Sequence, residues 1–352
     1  MLKVLLPTIE RPVPGGVARY IAALAETFPG EVSLLCLTTN EQGRVSYRKI
    51  FNEICWRPRS RVKQLWINYL LPIGTVAWLC SFFGSFFGGT PYTIFLHGLD
   101  FDLARRTTWK RWLSRQILGR AKHTVTNSQA LADEAHAFAP RSPQALVVYP
   151  VVSETLLKRA AELAVAITPP ASGAVRGGNL LTVARLVARK GHLKVLEALV
   201  DLPGVNYVIA GEGPERAAIE TAVRRLGLAD RVRLLGDVAD EALPDIYRSA
   251  DIFVMPTTKT KDDREGFGTV YLEAQLFGLP VIATKQPGVD EAIADGQTGL
   301  LIEDTPQALL AGIKRALTDQ TFRSSCRLNG PKRIRETFVK QVQMKKLEPY
   351  LV

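Results

Sequence analysis

The 352 residues are 47% hydrophobic and 22% charged, an ordinary soluble composition in a chain too long for a single small core. The net charge of +11 is concentrated at one end: residues 1–168 hold 20 Lys/Arg against 11 Asp/Glu, whereas residues 169–352 hold 25 against 23. A basic first half suits an anionic partner such as a membrane surface, a phosphorylated substrate or nucleic acid. Cys36, Cys55, Cys80 and Cys326 lie far apart without CxxC or Cys/His spacing. This excludes a zinc-type site and predicts reduced thiols in the cytoplasm.

In chain order, the opening "MLKVLLPTIERP" lacks the long apolar core and small-residue cleavage site of a secretory leader and reads instead as a strand, "KVLLPT". "PVPGGVARY" follows it, with Gly15 and Gly16 where a helix begins. Two glycines at a helix start allow a phosphate to approach free backbone amides, although the same pair also serves ordinary turns. "EVSLLCL" and "LWIN" read as further strands. The apolar stretch 65–89 approaches a membrane span in length, but Asn68, Pro72, Gly74, Ser81, Gly84 and Ser85 interrupt it. A strand, a loop and an apolar helix fit it better; whether that helix touches lipid stays open. "YTIFLHG" ends a strand at His97, and "HTVTNS" and "ALVVYP" complete the first series, with helices over "GVARYIAALAETF", "TWKRWLSRQILGR" and "ALADEAHAF".

The pattern loses its strands within residues 153–178 and then repeats. "NLLTVAR", "NYVIAG", "RVRLLG", "DIFVMP", "PVIAT" and "GLLI" are strand-like, with helices over "HLKVLEALVDL", "ERAAIETAVRRLG", "EALPDIYRSA", "TVYLEAQLFG" and "PQALLAGIKRALTD". Alternating strands and helices with short connections predict parallel sheets covered on both faces. Two such series predict an α/β chain of two facing Rossmann-like domains, residues 1–165 and 175–322, and a helical tail, 323–352, packing back toward the first domain. Ligands of such sheets bind beyond the carboxyl ends of the strands, here in the cleft between the domains.

The candidate site residues fall at those ends. In "TVARLVARKGH", Arg185 is expected to close a strand, with Lys190 five residues on before a new helix. An arginine fork and a lysine point charge there suit a diphosphate. In "REGFGTVYLEA", Glu265 stands on a loop before Gly266 and Gly268, and Glu273 lies just over a turn into the helix that starts near Thr269. Glu265 is expected to be an exposed carboxylate with little part in packing. Carboxylates accept hydrogen bonds from adjacent sugar hydroxyls, so a sugar, a diphosphate and a ribose in line would meet all these groups.

These motifs, with "HG" at 97–98, "GEGP" at 211–214, "GLPVIAT" and "PGVDEAIADGQTGLLI", closely resemble the family-4 retaining glycosyltransferases of the GT-B fold. Their order and spacing match over most of the chain, best from residue 179 to 302. The loop leading to Glu273 is similar to that of phosphatidylinositol mannoside mannosyltransferases, which favours GDP-mannose over a UDP-sugar. The resemblance implies that Glu265 and the backbone at Phe267 and Gly268 hold the transferred hexose, and that Glu273 binds ribose. It gives the diphosphate to Arg185, Lys190 and Gly16, puts His97 near the sugar, and sets the turn Gly236, Asp237 and Val238 beside the base. It also implies a metal-independent, cofactor-free, retaining transfer to a lipid-linked or polysaccharide acceptor. The sequence departs from the family at "YPVVSET", which lacks the usual Asn-Gly-Val-Asp run.

Rival readings are a glycoside hydrolase using the two glutamates, a nucleotide-sugar epimerase, and a basic nucleic-acid-binding protein. No reading module for nucleic acid is present in the sequence, so nucleic acid is not the expected partner. The basic residues Arg57, Arg59, Arg61, Lys63, Arg105, Arg106, Lys110, Arg111 and Arg115 instead predict a cytoplasmic protein attached peripherally to the anionic inner face of the membrane.

Overall fold

Short apolar runs rich in Val, Ile and Leu become strands buried on both sides, and the amphipathic stretches between them become the covering helices. The structure, a computed structural model, describes residues 4–9, 16–37, 63–87, 90–164, 177–260 and 264–351. The first unit, Met1–Pro150 with Lys340–Val352, contains strands β1 (Val4–Ile9), β2 (Val32–Leu37), β3 (Gln64–Ile67), β4 (Tyr92–Leu96), β5 (His123–Thr126) and β6 (Ala145–Val147). They form a parallel sheet in the order β2-β1-β3-β4-β5-β6. Its helices are α1 (Gly16–Thr27), α2 (Ile73–Phe87), α3 (Leu99–Ala104), α4 (Thr108–Arg120) and α5 (Gln129–Phe138). Trp66 packs between Phe28 and Phe95 at ring distances of 6.2 and 5.3 Å, filling the core under the ends of β3 and β4.

The second unit, Val151–Val339, opens with α6 (Glu154–Ala164). Its strands are β7 (Asn179–Val183), β8 (Asn206–Ala210), β9 (Val232–Gly236), β10 (Ile252–Met255), β11 (Val281–Thr284) and β12 (Gly299–Ile302). These pair in parallel in the order β12-β11-β10-β7-β8-β9. The intervening helices are α7 (His192–Val200), α8 (Arg216–Arg225), α9 (Leu243–Arg248), α10 (Thr269–Leu276), α11 (Val289–Ala292) and α12 (Pro306–Thr318), followed by α13 (Gln320–Thr337). The strand order reverses between β7 and β10, the position at which doubly wound sheets open a crevice for ligands.

Three features differ from the sequence expectation. The units divide after Pro150 rather than near residue 165, because α6 buries Leu156 and Ala160 and packs on α9 and α10. The stretch 323–352 does not act as one tail. Helix α13 packs along α10, its Gly330 so close that a Cβ would lie 2.6 Å from the Gln275 carbonyl oxygen, whereas residues 340–352 belong to the first unit. Cys36 and Cys326 are free as expected, but Cys80 is disulfide-bonded, a pairing that separation along the chain does not reveal. Among the described residues, no helix is long and apolar enough to cross a membrane.

Candidate active site

Strand β7 ends at Val183, and the loop after it is knitted to the ends of its neighbours. Ala184 N donates to Ala210 O at 2.9 Å and Leu186 N to Glu212 O at 2.9 Å. A single 3-10 turn, Ala188–Lys190, leads to Gly191 at φ 76°, where any side chain would collide with the carbonyl oxygen of Pro256. The glycine thus lets the β7 and β10 loops touch, and Thr258 N seals them by donating to Arg189 O at 2.8 Å.

This contact brings the basic turn onto Glu265. Lys190 Nζ donates to Glu265 Oε2 at 2.5 Å and Arg189 Nη1 to the same oxygen at 2.6 Å. The Glu265 side chain is 11% exposed, Lys190 10% and Arg189 19%. Burial pushes the Glu265 carboxyl up, but the two cations outweigh it and hold the group below the ordinary glutamate value. The expectation of an exposed, unengaged Glu265 is therefore corrected: it is a nearly buried anion between two cations.

The clamp predicted from Arg185 and Lys190 is rearranged as well. Arg185 lies two residues past the strand end and is exposed, and its side chain has no hydrogen bond or ion pair among the described residues. Its loop is held from below, where His192 Nε2 lies 3.4 Å from the Arg185 carbonyl oxygen and Nδ1 lies 3.3 Å from the Tyr207 hydroxyl. Burial lowers the pKa of His192 to about 4, which keeps the ring neutral at physiological pH. Arg189, absent from the sequence prediction, is the second cation on Glu265. Its only signal was its place beside Lys190 in "ARKG".

Beyond Glu265 the chain turns at Gly268, φ 83°, into α10, whose first residue is Thr269. Phe267 is buried, its ring 5.8 Å from that of Phe338. Every residue of α10 from Tyr271 to Leu276 is buried, which explains why Glu273 is only 3% exposed. The Tyr247 hydroxyl donates to Glu273 Oε2 at 2.7 Å. The turn after β9 places Gly236 at φ 73°, 2.7 Å through its carbonyl from Gly211 N, with Asp237 exposed and Val238 half-buried. Arg185, Lys190, Glu265 and Gly268 thus gather at the switch point, between β7 and β10. Among the described residues no group of three or more His, Cys, Asp and Glu is placed to hold a metal ion.

The first unit carries its own cluster at the carboxyl ends of β3, β4 and β5. His97 Nε2 lies 3.2 Å from Asn68 Oδ1, His97 N donates to Asp100 Oδ1 at 3.0 Å, and the ring meets Tyr20 edge-on at 5.3 Å. Asn127 Nδ2 reaches His97 O at 3.5 Å. Burial lowers the His97 pKa to about 4 and raises that of Asp100 to about 6, the latter against four backbone hydrogen bonds that lower it. Asn68 Nδ2, Asp100 Oδ2 and Asn127 Oδ1 are buried without hydrogen-bond partners among the described residues. Sequence reasoning found His97 but not these three neighbours, of which Asn68 and Asn127 each directly follow a strand and Asp100 lies in the first turn of α3. Helix α1 begins at Gly16, while Gly15 lies outside the described residues, as do Arg57, Arg59 and Arg61.

Two six-stranded parallel units of this kind make up the GT-B architecture, and solved structures share it along the whole chain. Anabaena HepE, solved in complex with UDP, superposes with a TM-score of 0.81 at 19% identity, covering 99% of each chain. Sucrose-phosphate synthase from Thermosynechococcus elongatus gives 0.76 at 19% identity, covering 99% of this chain and 98% of that one. Residues 176–333 match the family described as glycosyl transferases group 1, so the second unit belongs to that family, as its motifs predicted. Among curated relatives, the GDP-mannose-dependent alpha-(1-6)-phosphatidylinositol monomannoside mannosyltransferase of Mycolicibacterium smegmatis is 36% identical over 132 residues, 36% of this chain and 35% of that protein. The D-inositol 3-phosphate glycosyltransferase of Corynebacterium urealyticum is 30% identical over 229 residues, 61% of this chain and 53% of that protein. The matched stretch thus spans between about a third and a half of these relatives' lengths.

Proposed function

We propose that the protein transfers a hexose from a nucleoside-diphosphate sugar to a hydroxyl of a lipid-linked or glycan acceptor, retaining anomeric configuration and using no bound metal. The observation that carries this reading is the exposed guanidinium of Arg185 at the switch point, which has no hydrogen bond or ion pair among the described residues. It lies in the same loop as Arg189 and Lys190, the two cations that hold Glu265. Such a loop suits a diphosphate, and the guanidinium of Arg185 is a ready fork for its oxygens.

In this reading Glu265 accepts hydrogen bonds from the transferred sugar, Phe267 and Gly268 present backbone to it, and Glu273 serves the ribose. Gly236, Asp237 and Val238 border the base. The acceptor oxygen bonds to the anomeric carbon as the bond from that carbon to the diphosphate oxygen breaks. Both events occur on one face of the sugar, and the acceptor proton passes to the leaving phosphate. The cations stabilise the charge that develops on that phosphate.

A glycoside hydrolase fits less well. Its proton donor needs a raised pKa, whereas Glu265 is held ionised by two cations. Relatives point to two donors: the mycobacterial protein is named as GDP-mannose-dependent, and HepE was also solved with UDP-glucose. We favour GDP-mannose on the similarity of the Glu265 loop.

Thermal unfolding of the full chain with GDP, UDP, dTDP and ADP, without metal and beside Arg185→Ala, tests the reading. A ligand at about 100 times its Kd stabilises by about 2.7 kcal/mol. A shift with one diphosphate that is lost in the variant is the expected result. No shift with any of the four at millimolar concentration overturns the donor assignment.

A further inference from the structure

Helices α3 and α4 of the first unit bury one side each, Phe101 and Ala104 on α3 and Ser114, Ile117 and Leu118 on α4. Their other sides carry large apolar residues into solvent. Leu99 and Leu103, one turn apart, are 44% and 40% exposed, and Trp109 and Trp112, three residues apart, are 58% and 60% exposed. At 100° per residue the two tryptophans share a face opposite the buried stripe. Tryptophan offers 150–250 Å² of surface for burial, so two left in water on one helix mark a surface built for contact.

The surrounding charge narrows the partner. From Arg105 to Lys122 the chain contains seven Lys/Arg and no Asp or Glu. Several of these serve the fold. Arg105 pairs with Asp102 and Glu134, Arg115 donates to Phe138 O, and Arg120 donates to Ser81. Arg106 and Arg111 are exposed, and the Lys110 ammonium lies 5.7 Å from the Trp109 ring.

We propose that the exposed face of α4 carrying Trp109 and Trp112, together with the exposed Leu99 and Leu103 of the preceding helix α3, docks the protein on an anionic lipid bilayer. Tryptophan settles at headgroup depth with its ring in the acyl boundary, while flanking cations meet lipid phosphates. A nucleic acid would use the cations but leave two exposed leucines without a role. The inference concerns the first unit and does not depend on the identity of the sugar donor.

The test is co-sedimentation of the full chain with phosphatidylcholine vesicles, with and without phosphatidylglycerol, for the wild type, Trp109→Ala/Trp112→Ala and Lys110→Glu/Arg111→Glu. Trp109, Arg111 and Trp112 are exposed and Lys110 is half-buried, so thermal unfolding of the variants should stay close to that of the wild type. Leu103→Asp provides an independent probe on α3. Binding should require phosphatidylglycerol, weaken roughly tenfold or more in the tryptophan variant, and fall roughly fivefold per cation removed. Tryptophan emission should shift to the blue on vesicles and lose that shift in the tryptophan variant. Absence of binding to anionic vesicles overturns the proposal. Binding insensitive to both the tryptophan and Leu103 changes overturns it equally, by reducing the contact to one between charges alone.

Discussion

Lys190 donates to Glu265 across 2.5 Å and 75 residues of chain, and Arg189 shares the same carboxylate oxygen. The pair joins the loop after β7 to the loop after β10, so the ionic contact is also a tertiary one. Glu265→Gln removes a negative charge held by two largely buried cations. Breaking a buried ion pair from one side costs about 3–5 kcal/mol, and partial exposure here brings the expected loss to about 2–3 kcal/mol in the absence of ligand. Urea unfolding measures it. Because the folded pKa of Glu265 lies below its ordinary 4.5, its contribution is present above that value and is lost as pH falls through the folded one. The stability gap between wild type and variant should therefore narrow in acid. A variant as stable as the wild type at neutral pH would show that the cations do not depend on Glu265 for their place in the fold.

Arg185 and Arg189, four residues apart, should separate binding from stability. Arg185 is exposed and unengaged, so Arg185→Ala should change unfolding free energy by no more than about 0.5 kcal/mol. It should weaken nucleoside diphosphate binding by about 1.5–3 kcal/mol, the usual worth of a charged hydrogen bond. Arg189→Ala should do the reverse in first order, lowering stability by about 1–2 kcal/mol because half of the cationic partnership of Glu265 is lost. Calorimetric titration together with urea unfolding of both variants checks the contrast, and equal effects on both quantities would refute it.

Much of this site was legible in the sequence because parallel α/β topology ties function to chain position. Once "NLLTVAR" and "DIFVMP" are read as strands, Arg185 and Glu265 must lie at carboxyl ends, and the structure pairs those strands directly. What could not be read was the direction of side chains on the loops. The spacing of Arg185 and Lys190 suggests a pair, yet the single 3-10 turn rotates Lys190 and Arg189 toward Glu265 and leaves Arg185 outside. Burial of Glu273 was hidden for a similar reason: α10 is covered on nearly all sides, and its covering helix α13 is weakly patterned and contains Pro331. The helix α6 escaped because its amphipathic stretch runs into a Pro/Gly/Ser-rich segment that reads as linker.

Gly268→Ala probes the start of α10. At φ 83° a side chain is strained, and a Cβ would collide with the ring of Tyr271, whose hydroxyl donates to Met255 O at 2.9 Å. Both effects oppose the native turn, and a loss of about 2–3 kcal/mol is expected from backbone strain plus repacking. Since Phe267 and Gly268 are assigned to the sugar, diphosphate affinity should change less than affinity for the intact nucleotide sugar. Unchanged unfolding would mean that the turn tolerates a different backbone path.

His97 and Asp100, joined by the bond from His97 N to Asp100 Oδ1, carry opposing pH dependences. The His97 pKa falls from 6.5 to about 4, so the folded state binds fewer protons than the unfolded chain between those values. Its contribution to stability is full above 6.5 and is lost as pH falls to 4. The Asp100 pKa rises from 3.8 to about 6, so there the folded state binds more protons, and stability is lost as pH rises from 3.8 to 6. The two effects amount to about 3 kcal/mol each, with opposite signs over nearly the same window, so the wild type should show little net dependence from this pair. Single variants expose each half. Asp100→Asn should make stability fall steeply as pH drops from 6.5 to 4, whereas His97→Gln should make it fall as pH rises from 4 to 6. Urea midpoints for both variants across pH 4–7 decide the matter, and two parallel profiles would mean that burial does not set the protonation of this pair.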